Sequence, residues 1–166
     1  VRHPGNRGFT LLELLVVIVL AGILLSVLTI SVSTDERQEL AREARRVGLL
    51  FALAADEARI RQLPIYWEAD LAGYRFVTLV AGERRLLAGD DLLRGRSWRE
   101  PLQTLALYPA GAEQPSRILL GPGAPPLRVA IAREWIQQPI RLELATATAK
   151  VAIDFDERGL GTIEPR

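Results

Sequence analysis

From Leu14 to Val32 the chain reads LLVVIVLAGILLSVLTISV, an uncharged run whose only polar side chains are Ser26, Thr29 and Ser31. At about 1.5 Å per residue, a helix over 9–32 is long enough to cross a hydrocarbon core of about 30 Å. Apolar runs of this length are uncommon in water-soluble folds, where a helix shows a polar face to solvent. The run therefore reads as a transmembrane helix, and the rest of the chain must be organised around a membrane anchor.

The residues ahead of it sharpen that reading. VRHPGNRG is short, basic and polar, and it ends in glycine before the apolar run. A secretory signal peptide places its cleavage site after the apolar region, so a cut at Gly8 leaves the hydrophobic helix on the mature protein. That helix begins Phe9, Thr10, Leu11, Leu12, Glu13. An ionised carboxylate near the end of a membrane helix costs on the order of one to three kcal/mol unless a partner meets it. From Phe9 to Glu36 the sequence contains no Lys, Arg or His. The cation it offers inside the membrane is the α-amino group that cleavage creates at Phe9. Glu13 stands about 6 Å along the helix axis from that terminus. A neighbouring helix shifted by a comparable distance brings its amine opposite Glu13, which points to a staggered assembly of parallel helices.

RGFTLLELLVVIVLAGILLSV closely resembles the N-terminal signature of type IV pilins and type II secretion pseudopilins. The resemblance implies that a membrane aspartyl prepilin peptidase cuts between Gly8 and Phe9 and methylates the new amine. It makes Gly8 the processing residue, Phe9 the N-methylated mature terminus, and Glu13 the assembly carboxylate at the fifth mature position. Residues 1–8 then form a prepilin leader.

Past Val32 the pattern turns amphipathic, with Leu40, Ala44, Val47, Phe51, Ala54 and Ala58 at three- and four-residue spacing. One helix is expected from about Phe9 to about Gln62, with 33–63 as its amphipathic half, before Pro64 makes continuation costly. Such a helix approaches 80 Å in length. Beyond it come short strand-like runs: IYWEA, YRFVTLVA, RRLLA, LQTLALY, SRILLG, LRVAIA, IRLELATA, KVAIDF and GTIE. Turn clusters such as DLAG, PAGAEQP and DERG separate them, and GPGAPP reads as a surface loop. The expected class is α+β, with seven to nine antiparallel strands over 64–166 forming a head on the exposed half of the helix.

EARRVGLLFALAADEARIRQLPIYWEADLAGYRFVTL and the later SWREPLQTLAL are similar to the H-type minor pseudopilins of type II secretion. That resemblance implies a β-sandwich-like periplasmic head, a single-pass anchor in the bacterial inner membrane and a cytoplasmic N-terminus before extraction. The partners it implies are the major and other minor pseudopilins, the prepilin peptidase, the inner-membrane secretion platform and the bilayer. The calcium loop of the major pseudopilin is not found. A disulfide loop of the major pilins is impossible without cysteine. The alternative relative is a minor type IV pilin, serving pilus assembly, adhesion or DNA uptake.

The chemistry is sparse. His3, in the leader, is the only histidine and there is no Cys, so the mature chain has no Ser-His-Asp or Cys-His constellation. No enzyme activity and no cofactor are expected. Asp154, Asp156 and Glu157 in IDFDERG alternate ahead of a glycine, yet lack the further oxygens that a calcium loop needs. They read as a hairpin turn in which Gly159 supplies the positive φ, and Asp90 with Asp91 suggests no metal either. Trp67, Trp98, Trp135, Tyr66, Tyr74 and Tyr108 read mainly as sheet core and not as stacking platforms. Without Arg2 and Arg7, 19 basic side chains face 20 acidic ones, and nucleic acid is not an expected partner. Arg94, Arg96 and Arg99 read as a solvated loop.

Overall fold

The computed structural model describes residues 11–87, 89–131 and 138–165, with the side chains of 25–35 and 165 outside that description. The chain is α+β and divides into two compact units, Val1–Asp35 and Glu36–Arg166. Helix α1 is assigned from Leu11 to Arg61. In the first unit every side chain described from Leu11 to Leu24 is exposed. Among the described residues no helix is long and apolar enough to cross a membrane. The described side chains of the apolar run stop at Leu24, so the segment 9–32 lies only partly within the description.

The second unit is built on the later part of α1. Leu40, Ala44, Val47, Phe51, Ala54 and Ala58 all lie buried along one stripe, as the three- and four-residue spacing requires. The alanines let strands approach the helix backbone, and Phe51 fills the space between them. The helix ends where expected. Gln62 takes φ 55°, the left-handed conformation that closes many helices, and its side-chain amide donates to the Arg59 carbonyl at 2.7 Å. Pro64 follows and β1 begins at Ile65.

Among the described residues ten strands follow: β1 (Ile65–Ala69), β2 (Gly73–Val80), β3 (Glu83–Leu86), β4 (Arg96–Ser97), β5 (Thr104–Pro109), β6 (Arg117–Leu120), β7 (Leu127–Ile131), β8 (Ile140–Ala145), β9 (Lys150–Phe155) and β10 (Gly161–Pro165). They form two antiparallel sheets. The first has the order β3-β2-β1-β7, with β4 pairing to β2; the second has the order β10-β9-β8-β5-β6. Side chains alternate across each strand, so Ile65, Trp67 and Ala69 of β1 turn to the core while Tyr66 and Glu68 turn outward. Phe51 joins the two sheets. Its ring lies 5.3 Å from Trp67 and 6.4 Å from Phe76 of the first sheet, and stacks at 4.4 Å on Phe155 of the second. GPGAPP is the mostly exposed connection between β6 and β7.

Candidate functional site

Gly8 and Phe9 lie outside the described residues. Glu13 lies in the first turn of α1, with its side chain exposed.

In the head the most strongly organised polar group is one the sequence reading passed over. Glu68 is 1% exposed although it stands on the outward side of β1. Antiparallel register sets it opposite Arg75 of β2 and Arg128 of β7. Arg75 Nε donates to Oε2 at 3.0 Å, while Arg128 donates to Oε1 through Nε at 3.0 Å and Nη2 at 2.7 Å. Arg84 of β3 reaches Oε2 as well. Burial pushes this carboxyl up, but the Arg75 and Arg128 hydrogen bonds and the charges of Arg84 and Arg128 outweigh it and hold the group below the usual glutamate value. The Arg128 guanidinium also sits 5.8 Å from the centre of the Tyr66 ring.

The second sheet carries a counterpart of different sign. Glu143, on the outward side of β8, accepts from Tyr108 Oη at 2.9 Å and from Lys150 Nζ at 2.8 Å. Burial acts upward on its carboxyl, and these two donors bring it below its ordinary value. Arg141 on the same face pairs with Asp154 at 3.2 Å and Glu164 at 2.9 Å. Between helix and sheet, Glu43 accepts from Tyr74 Oη at 3.3 Å and from Arg46 at 2.9 Å. Burial, then the Glu43 charge, raises the Tyr74 phenol well above its ordinary value.

The acids singled out in the sequence serve turns and pairs. Asp156 Oδ1 accepts the backbone N–H groups of Arg158 and Leu160, and Gly159 takes φ 78°. Asp154 turns to Arg141 instead, so IDFDERG does not converge on one point. Asp90 Oδ1 accepts the N–H groups of Leu93 and Leu92, which lower its pKa. No group of three or more His, Asp or Glu side chains among the described residues could hold a metal ion.

Trp67, Trp98 and Tyr74 are core residues, with Trp98 Nε1 donating to the Asp70 carbonyl at 2.8 Å. Tyr66 and Tyr108 are on outer faces, and Trp135 lies outside the described residues. Arg96 reaches toward the Asp91 carbonyl at 3.3 Å, and Arg99 pairs with Glu39 of α1 at 2.7 Å. Elsewhere among the described residues Arg75, Arg84 and Arg128 gather around one carboxylate, Glu68, and give the head a basic face.

What this arrangement can do is hold surfaces. Glu68 and Glu143 are saturated by cations or hydroxyls and held ionised, which suits fixed charge patterns better than proton transfer at neutral pH. A cleft of about 310 Å³ borders Glu68, Arg75, Gly73 and Arg96. Neither the curated proteins nor the solved structures yield a match to the chain. Residues 4–29 match the prokaryotic N-terminal methylation motif. That match covers Gly8, Phe9 and Glu13, and over residues 4–29 the chain is similar to proteins that carry this motif.

Proposed function

We propose that the chain is a minor pseudopilin of type II secretion, of the H type, acting as a non-enzymatic tip subunit of the pseudopilus that drives folded proteins across the outer membrane. The N-terminal motif, with glycine, phenylalanine and glutamate in processing order ahead of an apolar run, supports the pilin-like part of this reading, and the similarity of residues 43–79 and 97–107 to H-type minor pseudopilins supports the finer part. In this reading residues 9–32 anchor the chain in the inner membrane until it is extracted, with the head periplasmic. The apolar helix exchanges lipid for the apolar stripes of neighbouring subunits without meeting water. The methylated amine of an entering subunit meets the Glu13 carboxylate of a neighbour, which sets the axial register. The head supplies the surfaces that distinguish one subunit from another.

A minor type IV pilin is the second reading, in which the basic face of Arg75, Arg84 and Arg128 would serve adhesion to an acidic surface. Deletion in the native host separates the two, scored in parallel for exoprotein in the medium and for surface pili with twitching motility. The pseudopilin reading expects lost secretion with intact pili. Lost pili with normal secretion overturns it in favour of the pilin, with Gly8, Phe9 and Glu13 keeping their roles.

A further inference from the structure

The outward side of the first sheet has an excess of positive charge arranged around a single point. Across the described strands β1, β2, β3 and β7, the charged side chains on that side are Glu68, Arg75, Arg84 and Arg128, a net charge of +2. The four N–H contacts to Glu68 fall two on each oxygen, which fills the acceptor positions of the carboxylate. Three guanidiniums carry many more donors than that, and their side chains remain 44%, 45% and 55% exposed. Glu68 thus fixes the arginines in place without neutralising them, so a ligand pays less to order them on binding. Beside them stand Tyr66, half-buried, and Leu86, 57% exposed. Arginine and tyrosine are among the residues enriched at protein-binding hot spots, and Leu86 adds exposed apolar surface beside them.

We infer that this face docks an acidic segment of a partner protein, one that presents at least two carboxylates beside an apolar side chain. Charge complementarity selects the carboxylates, and the open sheet surface with Leu86 and Tyr66 selects a polypeptide over a free ion. Nucleic acid is disfavoured by the patch's compactness. Three arginines gathered on one carboxylate meet one or two phosphates, whereas DNA binders gain affinity from contacts spread along the backbone. The inference goes beyond the N-terminal motif and stands whether the chain serves secretion or a pilus.

The test uses the full chain in neutral detergent and a fluorescein-labelled peptide of sequence Glu-Glu-Leu-Glu-Glu-Leu, read by fluorescence anisotropy at low and at physiological salt. Salt-sensitive binding is expected, weakened about threefold by Arg84→Gln or by Arg128→Gln and unchanged by Arg94→Gln with Arg99→Gln. Arg84→Lys keeps the charge at a guanidinium that makes one contact to Glu68 and is expected to bind as the unaltered chain does, which separates lost recognition from a damaged fold. Absence of binding overturns the inference, as does equal binding by the Gln variants or equal loss in Arg84→Lys. Displacement by inorganic phosphate at matched charge assigns the face to a free anion, and tighter binding of a six-nucleotide oligothymidylate assigns it to nucleic acid. Either result overturns the protein partner.

Discussion

At Glu68 one carboxylate, itself buried, meets three guanidiniums whose side chains stay about half exposed. Removing its charge leaves three arginines facing one another across a neutral amide. Glu68→Gln is therefore expected to lower head stability by about 2 kcal/mol at neutral pH, measured by chemical denaturation of the full chain in detergent. The pH dependence has a definite sign. A carboxyl held below its ordinary value of 4.5 contributes stability that is complete above that value and is lost as pH falls through the depressed one. Glu143 and Asp90 are lowered too and act in the same direction. Stability of the unaltered chain is expected to fall on acidification below about pH 4.5, with Glu68→Gln less sensitive and the two curves converging in acid. Parallel curves would sink the assignment. A signal for this cluster was present in the sequence, because IYWEA, GYRFV and LRVAI each carry one charge, and one sign opposes the other two. Its meaning depends on register, and the pairing of Ile65 with Ile131 is not encoded in either run alone. Asp156 and Gly159 were legible because a turn is local chemistry.

Among the elements, α1 and β10 come close enough for glycine to matter. A Cβ added at Gly161 would lie 3.1 Å from Gly48 Cα, 3.1 Å from Ile153 Cγ2 and 3.2 Å from Phe155 Cε1. The first is backbone and the other two belong to buried core residues, so none can yield cheaply. A Cβ at Gly48 meets nothing nearer than 3.8 Å. Gly161→Ala is expected to destabilise by about 1–2 kcal/mol. Gly48→Ala is expected to be neutral or to stabilise by up to about 1 kcal/mol through helix propensity, and equal losses at both would refute the close-packing account. Phe51 is the other joint, and Phe51→Ala is expected to cost about 3–5 kcal/mol because it loosens both sheets at once, visible as a lowered thermal midpoint. Most of these elements could be read directly. IYWEA and KVAIDF coincide with β1 and β9, and the buried face of α1 from Leu40 to Ala58 follows the spacing of its apolar residues. The two-residue β4 was missed, since a pairing so short leaves no alternation to detect. The division of the strands into two sheets also lay beyond sequence, because it is set by which distant runs pair.

For the whole molecule the proposed role gives expectations at the N-terminus. Gly8→Val is expected to block processing, so that a mature-sized product on a gel would refute the assigned cleavage. Glu13→Ala is expected to leave cleavage intact and to reduce assembly or secretion severely, measured as exoprotein in the medium. The strand order has a further consequence, one of timing. Strand β1 receives its second neighbour only when β7 exists, and the second sheet is incomplete until β8, β9 and β10 have been made. At about 5–20 residues per second, the roughly 100 residues from the end of α1 to β10 take on the order of ten seconds to synthesise. Non-local pairings are slow to form even then. Throughout that interval the apolar stripe from Leu40 to Ala58 is finished but only partly covered, so the nascent head is expected to be most prone to aggregation before β10 is made.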